Sequence, residues 1–86
     1  MEAALSTAKA MIVLMKSRRR RHAIILQDGE PKIRALSDAD QVRESWTKAP
    51  TKLVGVYSNG VTAEEVADDI IATDQGEYFT RRRSNP

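Results

Sequence analysis

The apolar positions of the chain fall into short segments whose spacing changes from one to the next. From Glu2 to about Lys16 the residues are rich in Ala, Leu, Met and Lys, which lose little side-chain entropy in a helix, and the pattern predicts a first helix. Within it, Met11-Ile12-Val13-Leu14-Met15 is apolar on every side and carries two β-branched residues. A buried strand, hairpinned through the following arginines to Ala23-Ile24-Ile25-Leu26, is the alternative reading of that stretch.

His22 to Gln27 is a short apolar run that stops at the turn formers Asp28-Gly29-Glu30-Pro31. Lys32, Ile33, Arg34, Ala35 and Leu36 then largely alternate polar with apolar, so the two runs predict a β-hairpin. Ser37 with Asp40 opens a second helix, along which Ala39, Val42, Trp46 and Ala49 recur three or four apart. Pro50 ends it. Lys52 to Tyr57 reads as a central strand, with Val54 and Val56 on one face and Leu53 and Tyr57 on the other. After the turn Ser58-Asn59-Gly60, Thr62 and Glu65 form a capping box for a helix reaching about Thr73, with Val66, Ala67, Ile70 and Ile71 as its buried face. Tyr78 and Phe79 mark a short edge strand.

The predicted fold is α+β, a small single-layer mixed sheet packed with about three helices in the order α-β-β-α-β-α, with a final β. The strand, helix, strand unit from Ile33 to Tyr57 is expected to pair its two strands in parallel by a right-handed crossover. Residues 1–80 form one compact domain, and 81–86, which lack any apolar residue, form a basic, loose C-terminal tail. No internal repeat interrupts the chain.

Charge adds a feature that the apolar pattern does not contain. The 86 residues sum to +2, but residues 1–22 carry +5, residues 23–80 carry −6 and residues 81–86 carry +3. Seven of the nine arginines lie in two clusters, Arg18, Arg19, Arg20 and Arg21, and Arg81, Arg82 and Arg83. The planar guanidinium fork matches phosphate oxygens, so the clusters point to nucleic acid or to an acidic partner surface. The plainer reading is a solvated charge run that keeps a small domain soluble. A localisation signal is a third reading, in a eukaryotic setting. Only four aromatic residues are present, and no helix-turn-helix, RNA-binding-strand or zinc-finger signature, so any binding is expected to follow the phosphate backbone and to be salt-sensitive.

Glu64, Glu65, Asp68 and Asp69 form an acidic stripe on the outer face of the last helix. Such a row can engage a basic partner groove, although acidic residues in a first helical turn also simply complement the helix dipole. Trp46 continues the core spacing of its helix; rotated outwards, it becomes an interface anchor. The Ser58-Asn59-Gly60 turn lacks the glycine spacing of a phosphate-binding loop, and Glu64 and Glu65 would repel an anion there.

Catalysis finds no constellation. The sole histidine, His22, has no nucleophile motif around it, and Asp28 and Glu30 are turn carboxylates. No metal-ligand spacing exists, no cofactor is expected, and a small-molecule substrate is not expected either. The absence of cysteine fits a reducing compartment, so a cytoplasmic location is the expectation. The longest apolar run, Ala10 to Met15, is far short of the roughly 20 residues of a membrane span. The positive charges follow that run, which is not the order of a secretory signal, so a mature N-terminus is expected. A sheet edge near Tyr78 and the apolar first segment offer surfaces for a homodimer.

The stretch Glu30-Pro31-Lys32-Ile33-Arg34-Ala35-Leu36-Ser37-Asp38-Ala39-Asp40, followed by Val42, Trp46 and the strand Leu53 to Tyr57, resembles small phage-encoded inhibitors of host RNA polymerase. The resemblance is one of pattern over about a third of the chain. It implies a phage or mobile-element accessory protein that acts by protein binding. Two functions are therefore expected: a non-enzymatic regulator docking through its arginines on nucleic acid or a nucleic-acid-handling complex, or an inhibitor that blocks one host protein.

Overall fold

The computed structural model describes residues 2–18, 21–36, 46, 50–58 and 60–76. The elements are α1 (Glu2–Arg18), β1 (His22–Gln27), β2 (Glu30–Ala35), β3 (Thr51–Tyr57) and α2 (Ala63–Gln75). They make an α+β fold with a three-stranded sheet in the order β2-β1-β3. The helix predicted from Ser37 to Ala49 lies outside the described residues except for Trp46, and so does the predicted strand at Tyr78 and Phe79.

The first segment is a helix, not a strand. Ala8, Met11 and Met15 lie along one side of α1 and are buried, with Ala4, Leu5 and Ile12 partly buried beside them. The apolar run therefore has more apolar residues than the helix can cover. Val13 and Leu14 turn outwards and are 66% and 44% exposed.

The hairpin of β1 and β2 closes in a two-residue loop, with Gln27 opposite Glu30. Asp28 and Gly29 have φ of 55° and 83°, the positive sign that a type I′ turn requires at both central positions. Asp tolerates this region, and Gly enters it without a steric cost. Pro31 falls within β2, which is compatible with a ladder only because β2 is an edge strand.

The expected mixed sheet and parallel crossover are corrected: β3 pairs with β1, antiparallel, so the described sheet is antiparallel throughout and β1, not β3, is central. The physical reason lies in β1 itself. Ala23, Ile24, Ile25 and Leu26 are all buried, so this strand has to be covered on both faces and is paired on both edges. In β2, by contrast, Glu30, Lys32, Arg34 and Ala35 are not buried, and most of the strand faces solvent.

The expected face assignment of β3 is also corrected. Ile24 pairs with Gly55 and Ile25 with Leu53, so Val54 is an extra residue and the strand bulges there. The bulge shifts the alternation by one. Val54 and Tyr57 join the core on one face of the sheet, while Leu53 and Val56 pack on the other.

Two apolar clusters result, one on each face. The larger joins Met11 and Met15 of α1, Ile24 and Leu26 of β1, Val54 and Tyr57 of β3, and Val66, Ala67 and Ile70 of α2, so both helices lie on the same side. The smaller consists of Ala23, Ile25, Leu36 and Leu53, with Trp46 and Val56 packed against it. At its N-terminus α2 carries the predicted capping box: the Glu65 N–H donates to Thr62 Oγ1 at 3.2 Å and the Thr62 N–H donates to Glu65 Oε1 at 3.0 Å.

Candidate nucleic-acid interface

The predicted basic site is described only in part. Arg19, Arg20, Arg81, Arg82 and Arg83 lie outside the described residues. Arg18 closes α1, and Arg21 precedes β1, where it is partly buried and its carbonyl accepts the Leu36 N–H at 3.0 Å. Arg21 thus sits at the end of the sheet where His22 faces Ala35 on one side and Tyr57 on the other.

Two cations outside the clusters lie on the hairpin. Arg34 pairs with Ala23, and Lys32 pairs with Ile25. Since Ile33 packs into the helix-side core, alternation along the strand turns Lys32 and Arg34 to the opposite face, that of the smaller cluster. Towards the turn the strip ends in a carboxylate, for Glu30 shares that face and approaches Lys32 Nζ at 4.0 Å. Both partners are well exposed, so this ion pair is a weak one.

Trp46 packs against the smaller cluster and keeps part of its surface exposed. It is neither fully core nor a detached anchor. Its spacing in the sequence puts it on the apolar side of its segment; only the structure shows that Trp46 itself meets the sheet face bearing Lys32 and Arg34.

The predicted acidic stripe is corrected. Glu64 and Asp68 are exposed on α2, and Glu65 is partly buried and engaged in the capping box. Asp69, however, is only 3% exposed, and the Tyr57 hydroxyl donates to its Oδ2 at 2.7 Å. The cause is helical spacing: Val66, Asp69, Ile70 and Thr73 recur at intervals of three, four and seven and share the buried face. The same spacing was present in the sequence, as was a strand tyrosine whose hydroxyl requires a partner once buried. Ile71, expected on that face, is partly exposed.

His22 is buried at 2% exposure beside Tyr57 in the sheet register, so the His22 end of the sheet gathers three buried polar side chains, His22, Tyr57 and Asp69. Among the described residues, no three His, Asp or Glu side chains are grouped to hold a metal ion, and no helix is long and apolar enough to cross a membrane. No protein-family model matches the chain, and neither a curated protein nor a solved structure matches it.

Proposed function

We propose that this chain is a non-enzymatic regulatory protein that docks on nucleic acid, or on a complex that handles it, through its basic residues. One observation carries the reading. The exposed carboxylates of α2, Glu64, Asp68 and Asp74, belong to the helix layer, whereas Lys32 and Arg34 project from the other face of the sheet. A phosphate backbone approaching the sheet side meets cations with the acidic helix behind the sheet. That layering keeps Lys32 and Arg34 apart from the exposed carboxylates of α2.

The test is retention of a labelled oligonucleotide at low salt, with Arg18 to Arg21 replaced by alanine as the comparison. For every phosphate that the replaced arginines no longer neutralise, the slope of log affinity against log salt should flatten by about 0.9 on duplex DNA, or about 0.7 on a single strand. Binding that is absent at low salt, or indifferent to the replacement, refutes the reading.

A second reading is favoured by a separate observation, the exposure of Val13 and Leu14 on the outer side of α1. On this reading the chain is a phage or mobile-element inhibitor that covers those residues with one host protein, for example RNA polymerase. A stoichiometric partner that survives nuclease treatment of a host lysate and is lost on Val13→Asp supports it. Loss of every partner with nuclease returns the function to nucleic acid.

A further inference from the structure

The geometry points to single-stranded nucleic acid as the occupant of this surface, with Trp46 as the platform on which a base stacks and Lys32 and Arg34 as the cations that meet its phosphates. This rests on the nucleic-acid reading and narrows it to one class.

Three features of the sheet face carry it. Trp46 packs on the cluster of Ala23, Ile25, Leu36 and Leu53, and yet part of its surface remains exposed. An indole packed on a cluster is already ordered, so stacking a ring on its exposed part costs little further side-chain entropy. The register then sets Lys32 beside Ile25 and Arg34 beside Ala23, two members of that same cluster, with opposed residues about 5 Å apart between Cβ atoms. The two cations are two residues apart on an extended strand, or roughly 6.8 Å, a separation that successive phosphates of an extended nucleic-acid strand can match.

A partly exposed indole on the cluster that Lys32 and Arg34 flank in register would distinguish the two forms of nucleic acid. Duplex bases stack on one another and present their π-faces only at the ends, so a duplex can use the cations but not the indole. An unpaired strand can use both, and base–aromatic stacking tolerates any sequence. Glu30 gives the strip a direction, because its carboxylate lies beside Lys32 at the turn end and leaves Arg34 at the end nearest Arg21. The strand is therefore expected to run from Lys32 past Arg34 towards Arg21.

Trp46 is the only tryptophan in the chain, so its emission reports this position alone. The experiment titrates the full chain with a labelled mixed-sequence single strand and with the same sequence as duplex, following label anisotropy and tryptophan emission together. The single strand should quench Trp46 over the same concentrations that raise the anisotropy, and the duplex should bind more weakly and leave the emission unchanged. Trp46→Leu, which keeps an apolar side chain on the cluster, should weaken single-strand binding roughly tenfold. Lys32→Ala and Arg34→Ala change solvent-facing residues and should each flatten the salt slope by about 0.7. Glu30→Gln should tighten binding.

A single strand that binds without quenching, a duplex that binds equally well, or a folded Trp46→Leu variant that binds like the parent overturns the inference and leaves the broader nucleic-acid reading standing. No anisotropy change with either form overturns both.

Discussion

The Tyr57 hydroxyl donates a 2.7 Å hydrogen bond to the Asp69 carboxylate, joining the last residue of β3 to the second turn of α2 inside the larger core. Both side chains are buried, and the bond spans the sheet and the helix layer. Hydrogen bonds to charged groups contribute about 1.5–3 kcal/mol, more than the neutral kind. Tyr57→Phe should lower unfolding stability by that amount, read from the urea midpoint at unchanged slope. A Tyr57→Phe/Asp69→Ala double-mutant cycle should return a coupling of about 0.5–3 kcal/mol. Additive losses would mean that the two side chains do not act on each other.

Thr73 lies on the same buried face of α2, fully buried, and its Oγ1 finds no hydrogen-bond partner among the described residues. Thr and Val have nearly the same shape and helix propensity, so Thr73→Val removes the stranded hydroxyl and little else. The variant should be more stable by about 1 kcal/mol, the lower end of the desolvation cost of an unsatisfied group. An unchanged or lower melting temperature would show that the hydroxyl is solvated or bonded in solution.

Both of these residues bear on how much of the fold is legible in the chain. The capping box at Thr62 and Glu65 and the turn at Asp28-Gly29 are legible because their chemistry is local: a side chain three residues away, or a backbone sign that few residues accept. The helical character of α1 is legible in its composition, although the five-residue apolar run hides which side faces out. Strand order is not legible, because pairing β3 with β1 is decided by which strand is apolar on both faces, a comparison between elements. The bulge at Val54 leaves no mark in the alternation of Leu53 to Tyr57, and it moves Tyr57 to the helix side, where Asp69 meets it. Charge alone assigns Asp69 to the surface, and the buried tyrosine overrides it. Of the candidate site, the arginine clusters are visible as a run, whereas the contribution of Lys32 and Arg34 follows from the register of β2 against β1.

The hairpin turn separates conformational from steric effects. A Cβ built on Gly29 meets nothing within 4 Å, so Gly29→Ala introduces no clash, yet its φ of 83° is strained for any L side chain. The expected loss is about 1–2 kcal/mol, arising from backbone conformation alone. Asp28→Asn keeps a residue that tolerates positive φ and should be close to neutral. Equal losses at the two positions would argue against a type I′ turn.

The acidic helix yields the sharpest test of charge layering, because its five carboxylates are not equivalent. Asp69→Lys would break the Tyr57 bond and bury an ammonium in an apolar core, a change expected to exceed about 4 kcal/mol and to unfold a small domain. Glu64→Lys and Asp68→Lys alter exposed side chains only. Glu64 complements the helix dipole in the first turn, so the pair should cost about 1 kcal/mol at most. Each reversal shifts the net charge by two units, in a chain whose total is +2. If a nucleic acid docks on the sheet side, with α2 behind it, the double reversal should tighten binding modestly through the long-range field and leave the salt slope nearly unchanged, since no new phosphate is neutralised. A large gain with a steeper slope would instead bring α2 into the interface, and loss of a protein partner on reversal would favour the inhibitor reading. Measuring oligonucleotide affinity at several salt concentrations, alongside a melting curve for each variant, separates these outcomes from simple unfolding.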